Sequence, residues 1–199
     1  MYKKALAINE ALGRKEGMAN NYDNLGDVYR IRGDLAQAEV MFKKALAINE
    51  ALGRREGMAN AYGNLGVLYS DENRMTEARH AYEEALKIYE ALAQQNTTYM
   101  RAVALTLNNL GNLHRNGNRL GEARQAYEEA LKIYRELARQ NPDIYLPDVA
   151  LTLNNVGNLH REDNRMTEAR RAYKESLKIY RGLARIAPRV YEPYVQTHG

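Results

Sequence analysis

Residues 1 to 20, MYKKALAINEALGRKEGMAN, return at 41 to 60 as MFKKALAINEALGRREGMAN, with Phe42 for Tyr2 and Arg55 for Lys15. A chain that repeats itself at a spacing of 40 residues is not free to build one irregular globule. Each copy must make the same local structure and pack on its neighbour in the same way. Further along, LTLNNLGNLH at 105 to 114 returns as LTLNNVGNLH at 151 to 160, a spacing of 46, so the array changes style partway. The later units are lengthened by QQNTTYMRAV and RQNPDIYLPDVA, which predict a longer turn or an added helical turn between hairpins.

Within a unit the apolar residues fall at helical spacing. Val103, Leu107, Leu110, Gly111 and His114 lie on one side of a first helix, and Leu120, Ala123, Tyr127, Ala130, Leu131 and Tyr134 on the inner side of a second. Between the two sits Gly33, Asn73, Asn118 or Asn164, residue types that tolerate the left-handed backbone ending a helix. Gly26, Gly66, Gly111 and Gly157 recur at one first-helix position. Glycine costs a helix about 1 kcal/mol relative to alanine, so the column predicts close approach of another backbone. Ala38, Ala78, Ala123 and Ala169 are the expected partner surface on the second helix.

Composition agrees with packed helices. The chain is 45% hydrophobic, its aromatics are 15 tyrosines and one phenylalanine, and only four prolines occur in 199 residues. Without cysteine there is neither a disulfide framework nor a thiolate metal site. The opening residues are charged throughout and no run of eighteen apolar residues exists, so no signal peptide or membrane span is read and a cytoplasmic location is expected. The formal charge is +4. Pairs such as Glu83 with Lys87 and Glu128 with Lys132 interleave the two signs, which argues against nucleic acid or an acidic membrane as partner.

The sequence resembles tetratricopeptide repeat proteins. The resemblance rests on Tyr22, Leu25, Gly26, Tyr29, Ala38, Phe42 and Ala45, and on Tyr62, Leu65, Gly66, Tyr69, Ala78, Tyr82 and Ala85. It continues through Leu107, Leu110, Gly111, His114, Ala123, Tyr127 and Ala130, then Leu153, Val156, Gly157, His160, Ala169, Tyr173 and Ser176. Glu50 stands where the commonest repeat closes with proline. The long units are similar to those of kinesin light chains and of Leu-Gly-Asn-repeat adaptors. The resemblance implies an all-α fold, a right-handed α-solenoid of antiparallel helix pairs with a peptide-binding groove on its concave side. The units are read as 1–17 (second helix only), 18–57, 58–98, 99–143, 144–187 and 188–199 (start of a further repeat, or tail). That makes about four full repeats with a truncated helix at each end, and suggests a fragment of a longer or engineered array.

With the apolar side turned inward, helical geometry turns Asn108, Asn109, Asn112 and Arg115 away from the hairpin core, and Asn154, Asn155, Asn158 and Arg161 likewise. Asn24 and Asn64 continue the column of Asn109 and Asn155, and Arg30 matches Arg115. Asparagine is a mediocre helix former, so the column asks for a reason. One reason is a ligand: an amide donates and accepts together and can bind an extended peptide's backbone, with arginines adding carboxylate recognition. The other is that these asparagines cap or cross-link neighbouring hairpins. A chaperone-tail clamp is not expected, since its lysine positions hold Asp23, Gly63, Asn108 and Asn154.

No catalytic constellation is found. His114 and His160 share a column with Tyr29 and Tyr69 and read as packing residues; Ser70 and Ser176 lie outside any GxSxG; Gly111, Gly117 and Gly121 lack the GK[ST] ending of a phosphate loop. The sequence therefore predicts a non-enzymatic scaffold without metal or cofactor, whose partner is a protein or peptide. Self-assembly through the terminal hairpins is the alternative.

Overall fold

The computed structural model describes residues 2–197; Met1, His198 and Gly199, which belong to the first and last units read from the sequence, lie outside the described residues. The chain divides into two compact units, residues 1–99 and 100–199. Secondary structure among the described residues is helical throughout.

The first unit holds α1 (Tyr2–Ala11), α2 (Lys15–Ile31), α3 (Leu35–Ala51), α4 (Arg55–Asp71) and α5 (Met75–Ala93), then a 3-10 turn at Thr97–Tyr99. Each helix packs on the next, and α2 also touches α4. Second helices pass to the next first helix through Gly13 and Gly53, at φ 62° and 65°, where the left-handed backbone favours glycine. Helix entry is side-chain capped at Asp34, which accepts the Gln37 N–H at 3.3 Å. A buried amide seals the junction: Asn49 is fully buried, and a Cβ at Gly57 would lie 2.3 Å from its Oδ1.

The second unit holds α6 (Met100–Asn116), α7 (Leu120–Gln140), α8 (Pro142–Glu162), α9 (Met166–Ile186) and α10 (Pro188–Thr197). Consecutive helices again pack in order, and α6 touches α8. Here α7 and α9 run 21 residues where α3 runs 17, so the longer period is taken up by added helical turn. The second helices end at Asn141 and Ala187, with extended backbone at φ −138° and −134°. Pro142 and Pro188 then start the next helices, where a missing N–H costs nothing. Tyr134 and Tyr180 occupy the register that Asn49 holds in α3 and Tyr89 in α5, and all four are buried.

Within each hairpin the turn residues behave as expected: Gly33, Asn73, Asn118 and Asn164 all have φ between 57° and 80°. The glycine column has a different cause from the one expected. What presses on it is an aromatic ring and not a backbone: a Cβ at Gly26 would lie 2.4 Å from the Phe42 ring, at Gly66 2.5 Å from Tyr82, at Gly111 2.5 Å from Tyr127 and at Gly157 2.4 Å from Tyr173. The ring lies against the first helix, and the alanine column of the second helix is buried beside it.

Candidate ligand-binding face

The residues that sequence geometry turns away from each hairpin core lie on the first helices, α2 and α4 in one unit, α6 and α8 in the other. In the first unit Asn24 is exposed and Asn64 half-buried. Asn64 hydrogen-bonds the carboxyl of Asp23 on the preceding first helix. Burial pushes Asp23 up to about 6 despite that bond, with Asp27 adding to the rise and Arg54 opposing it. Its Oδ1 is buried without a hydrogen-bond partner. Asp27 is raised too, by burial, against the opposing charge of Arg30. Arg30 is engaged across the repeat boundary, donating from an Nη to Asp71 at 3.1 Å. Nearby, the Tyr89 hydroxyl donates to Asn60 at 2.5 Å and the Tyr99 hydroxyl to Glu56 at 3.0 Å.

The second unit reproduces the same link with amides. Asn155 donates from Nδ2 to Oδ1 of Asn108 at 3.2 Å, and Asn108 is buried. Asn109 is half-buried, and no hydrogen bond occupies its side chain among the described residues. Asn154, one repeat on from Asn108, keeps a buried Oδ1 without a partner. Asn112 and Asn158 face their own hairpins: the Tyr127 hydroxyl donates to Asn112 Oδ1 at 2.6 Å and that of Tyr173 to Asn158 Oδ1 at 2.7 Å. Arg115 pairs with Glu162 at 3.8 Å, while Arg161 is exposed.

The eleven proposed contact residues thus separate by what already occupies them. Asn24, Asn109, Asn154 and Arg161 retain free hydrogen-bonding capacity. Asn64, Asn108, Asn155, Arg30 and Arg115 tie one repeat to the next, and Asn112 and Asn158 tie first helix to second. Asp23 is the residue that sequence reasoning misses, because at that position the sequence shows only the lack of a clamp lysine. The register it shares with Asn108 and Asn154 is the signal that could have found it.

Of the two histidines that share the column of Tyr29 and Tyr69, His114 is held within its own hairpin, while His160 keeps a buried Nδ1 without a hydrogen-bond partner. Arg119 donates from Nε to His114 Nδ1 at 3.0 Å, and the Arg74 guanidinium lies 4.1 Å from the centre of the equivalent Tyr69 ring. Burial, with Arg165 and Arg124 beside it, lowers the His160 pKa. Among the described residues no three His, Cys, Asp or Glu side chains cluster as metal ligands, and no helix is long and apolar enough to cross a membrane.

A tetratricopeptide repeat family model matches residues 1–51, 17–91 and 58–136, and a second matches 149–183. The chain belongs to the tetratricopeptide repeat family. Among solved structures, this tetratricopeptide repeat chain is similar to BtubC (BKLC) from P. vanneervenii, with a TM-score of 0.81 at 22% identity over 92% of this chain and 71% of that one. It is also similar to two structures of MamA, with TM-scores of 0.63 and 0.60 at 20% and 19% identity. Those two cover 92% of this chain and 87% and 92% of their own. No curated protein sequence matches it. Tetratricopeptide repeat proteins are typically non-enzymatic scaffolds, and the fold supports a protein-interaction role.

Proposed function

We propose that this tetratricopeptide repeat protein is an interaction scaffold whose first helices hold an extended segment of a partner protein. The observation that carries the reading is one register position seen in both units. Asp23 in the first and Asn154 in the second each keep a buried side-chain oxygen with no donor. Buried oxygens are almost always satisfied, so each asks for an incoming N–H. A peptide backbone supplies such donors at regular intervals, and Asn109, on the preceding first helix, can accept and donate in turn. In the first unit Asp23 and Asp27 add negative charge, which suits a lysine or arginine of a segment bound there.

The test is a display screen of random peptides against the full chain, then titration of a selected peptide against the double variant Asn109→Ala/Asn154→Ala. Neither side chain carries a hydrogen bond that holds the fold, so circular dichroism should match the parent. A loss of about tenfold or more in affinity, on the order of 1.4 kcal/mol, supports the reading. Unchanged affinity in the folded variant places the peptide elsewhere.

A further inference from the structure

Helix α9 carries a charge pattern that the rest of the chain lacks. Its 21 residues hold six lysines and arginines against two glutamates, an excess of four, equal to the +4 formal charge of the entire protein. The remainder is therefore neutral. Five of the six cations, Arg171, Lys174, Lys178, Arg181 and Arg185, are exposed and succeed one another at alternating steps of three and four residues. At helical pitch they fall within an arc of about 80°, diametrically opposite the buried Ala169, Ala172, Ser176, Tyr180 and Leu183, and extend about 21 Å.

Neither glutamate of α9 neutralises this row. Glu168 is bound by Arg165 at 2.6 Å, and Glu175 by Arg135 of α7 at 2.6 Å. None of the five cations has an ion-pair partner among the described residues. A further hairpin stacked on α9 would not cover the row. The equivalent positions of α7, which has the α8–α9 hairpin stacked after it, are also all exposed, so stacking leaves this face in solvent. In α7 those positions mix signs, with Glu128 beside Lys132 and Arg135, and in α5 they include Glu83 and Glu90. A merely solvated face is what α5 and α7 display; α9 departs from it.

We infer that the outer face of α9 docks an acidic α-helix of a protein partner. Charge selects the sign of the ligand, and spacing selects its shape. Cations alternating at three and four residues lie along one straight exposed stripe, which a row of glutamates at the same spacing on a second helix would match charge for charge. Gly182 lies beside the row on an open helix surface shared with Glu175, Leu177, Lys178, Arg181 and Arg185, and a Cβ there would meet nothing. Glycine in an exposed helix interior is otherwise unfavourable, and here it opens a notch for the close approach of another backbone. A nucleic acid gains nothing from that notch. Being broader than one helix, it would also meet the exposed Glu128 and Glu129 on the outer side of α7.

The probe is a synthetic helical peptide of about three heptads with glutamate along one a/d row and alanine elsewhere, titrated by fluorescence anisotropy against the full chain. A DNA duplex and phosphatidylserine vesicles are run in parallel. Saturable peptide binding that falls about tenfold or more in both Lys178→Gln/Arg181→Gln and Gly182→Leu supports the inference. The first variant removes charge, the second only fills the notch, and both positions are exposed, so circular dichroism should report an intact fold. Asn109→Ala/Asn154→Ala should leave this binding unchanged, which separates it from the first-helix site. Peptide binding indifferent to either α9 variant overturns the inference, as does tighter binding of the duplex or the vesicles than of the peptide.

Discussion

Asn155 on α8 donates to Asn108 on α6 at 3.2 Å, and in the first unit Asn64 on α4 bonds Asp23 on α2 in the same register. One amide column therefore holds consecutive first helices together. The 23/108/154 register keeps an unpartnered buried oxygen at Asp23 and at Asn154. Asn155→Ala removes the donor to a buried acceptor, and equilibrium urea unfolding should show a loss of about 1–2 kcal/mol. Asn24→Ala, at an exposed position of the same column, should change stability by less than about 0.5 kcal/mol.

Asp23 makes the first unit sensitive to neutral pH. Its folded pKa of about 6 lies above the ordinary value of 3.8, because burial disfavours the charged form. A raised carboxyl contributes stability that is complete below about pH 4 and is lost as pH rises through about 6. Asp23→Asn removes that dependence and restores the amide found at Asn108 and Asn154. Denaturation at several pH values should find the variant more stable than the parent by on the order of 2 kcal/mol at pH 7. Below pH 4 the difference should vanish.

Glu39 gives the opposite slope at lower pH. The Arg74 guanidinium, with Lys43 and the Tyr69 hydroxyl, holds its carboxyl down at about 2, below the ordinary value of 4.5. The Tyr69 hydroxyl donates at 2.9 Å, Arg74 at 2.9 Å and Lys43 pairs at 2.7 Å. A depressed carboxyl contributes stability present above about pH 4.5 and lost as pH falls toward 2. Much of the cluster is open to solvent, so Glu39→Gln should cost about 0.5–1 kcal/mol at pH 7. The cost should shrink between pH 4.5 and 2, and 1 M salt should reduce it at pH 7.

The fold is legible in the sequence because each unit states its own rule: the helical period, a glycine or asparagine at every hairpin turn, and copies in register. The candidate face is legible only in part. Asn112 and Asn158 point away from the apolar stripe on a helical wheel, yet they bond Tyr127 and Tyr173, whose hydroxyls extend past the glycine to the far side of the first helix. Periodicity gives the direction of a side chain but not the length of the one that reaches it. Arg30 and Arg115 pose the same difficulty: their acids, Asp71 and Glu162, lie a repeat away, where no local pattern pairs them. The α9 row is hidden for another reason. Interleaved pairs dominate the charge of the chain as a whole, and the largest excess sits on one helix.

The glycine column offers the sharpest test of how the hairpins close. Tyr127 is fully buried, and its ring edge would lie 2.5 Å from a Cβ at Gly111, a separation no relaxed packing tolerates. The ring cannot simply withdraw, because its hydroxyl is held by Asn112 at 2.6 Å and Ala123, Leu159, Leu120 and Val156 pack in the same cluster. Gly111→Ala should therefore lower stability by about 1–3 kcal/mol by overpacking, although alanine is the better helix former. Gly182→Ala, on an exposed helix with open space around its Cβ, should raise stability by about 0.5–1 kcal/mol. Paired thermal melts of the two variants check both signs at once. If Gly111→Ala matched Gly182→Ala, helix propensity alone would govern the column and the ring contact would count for nothing.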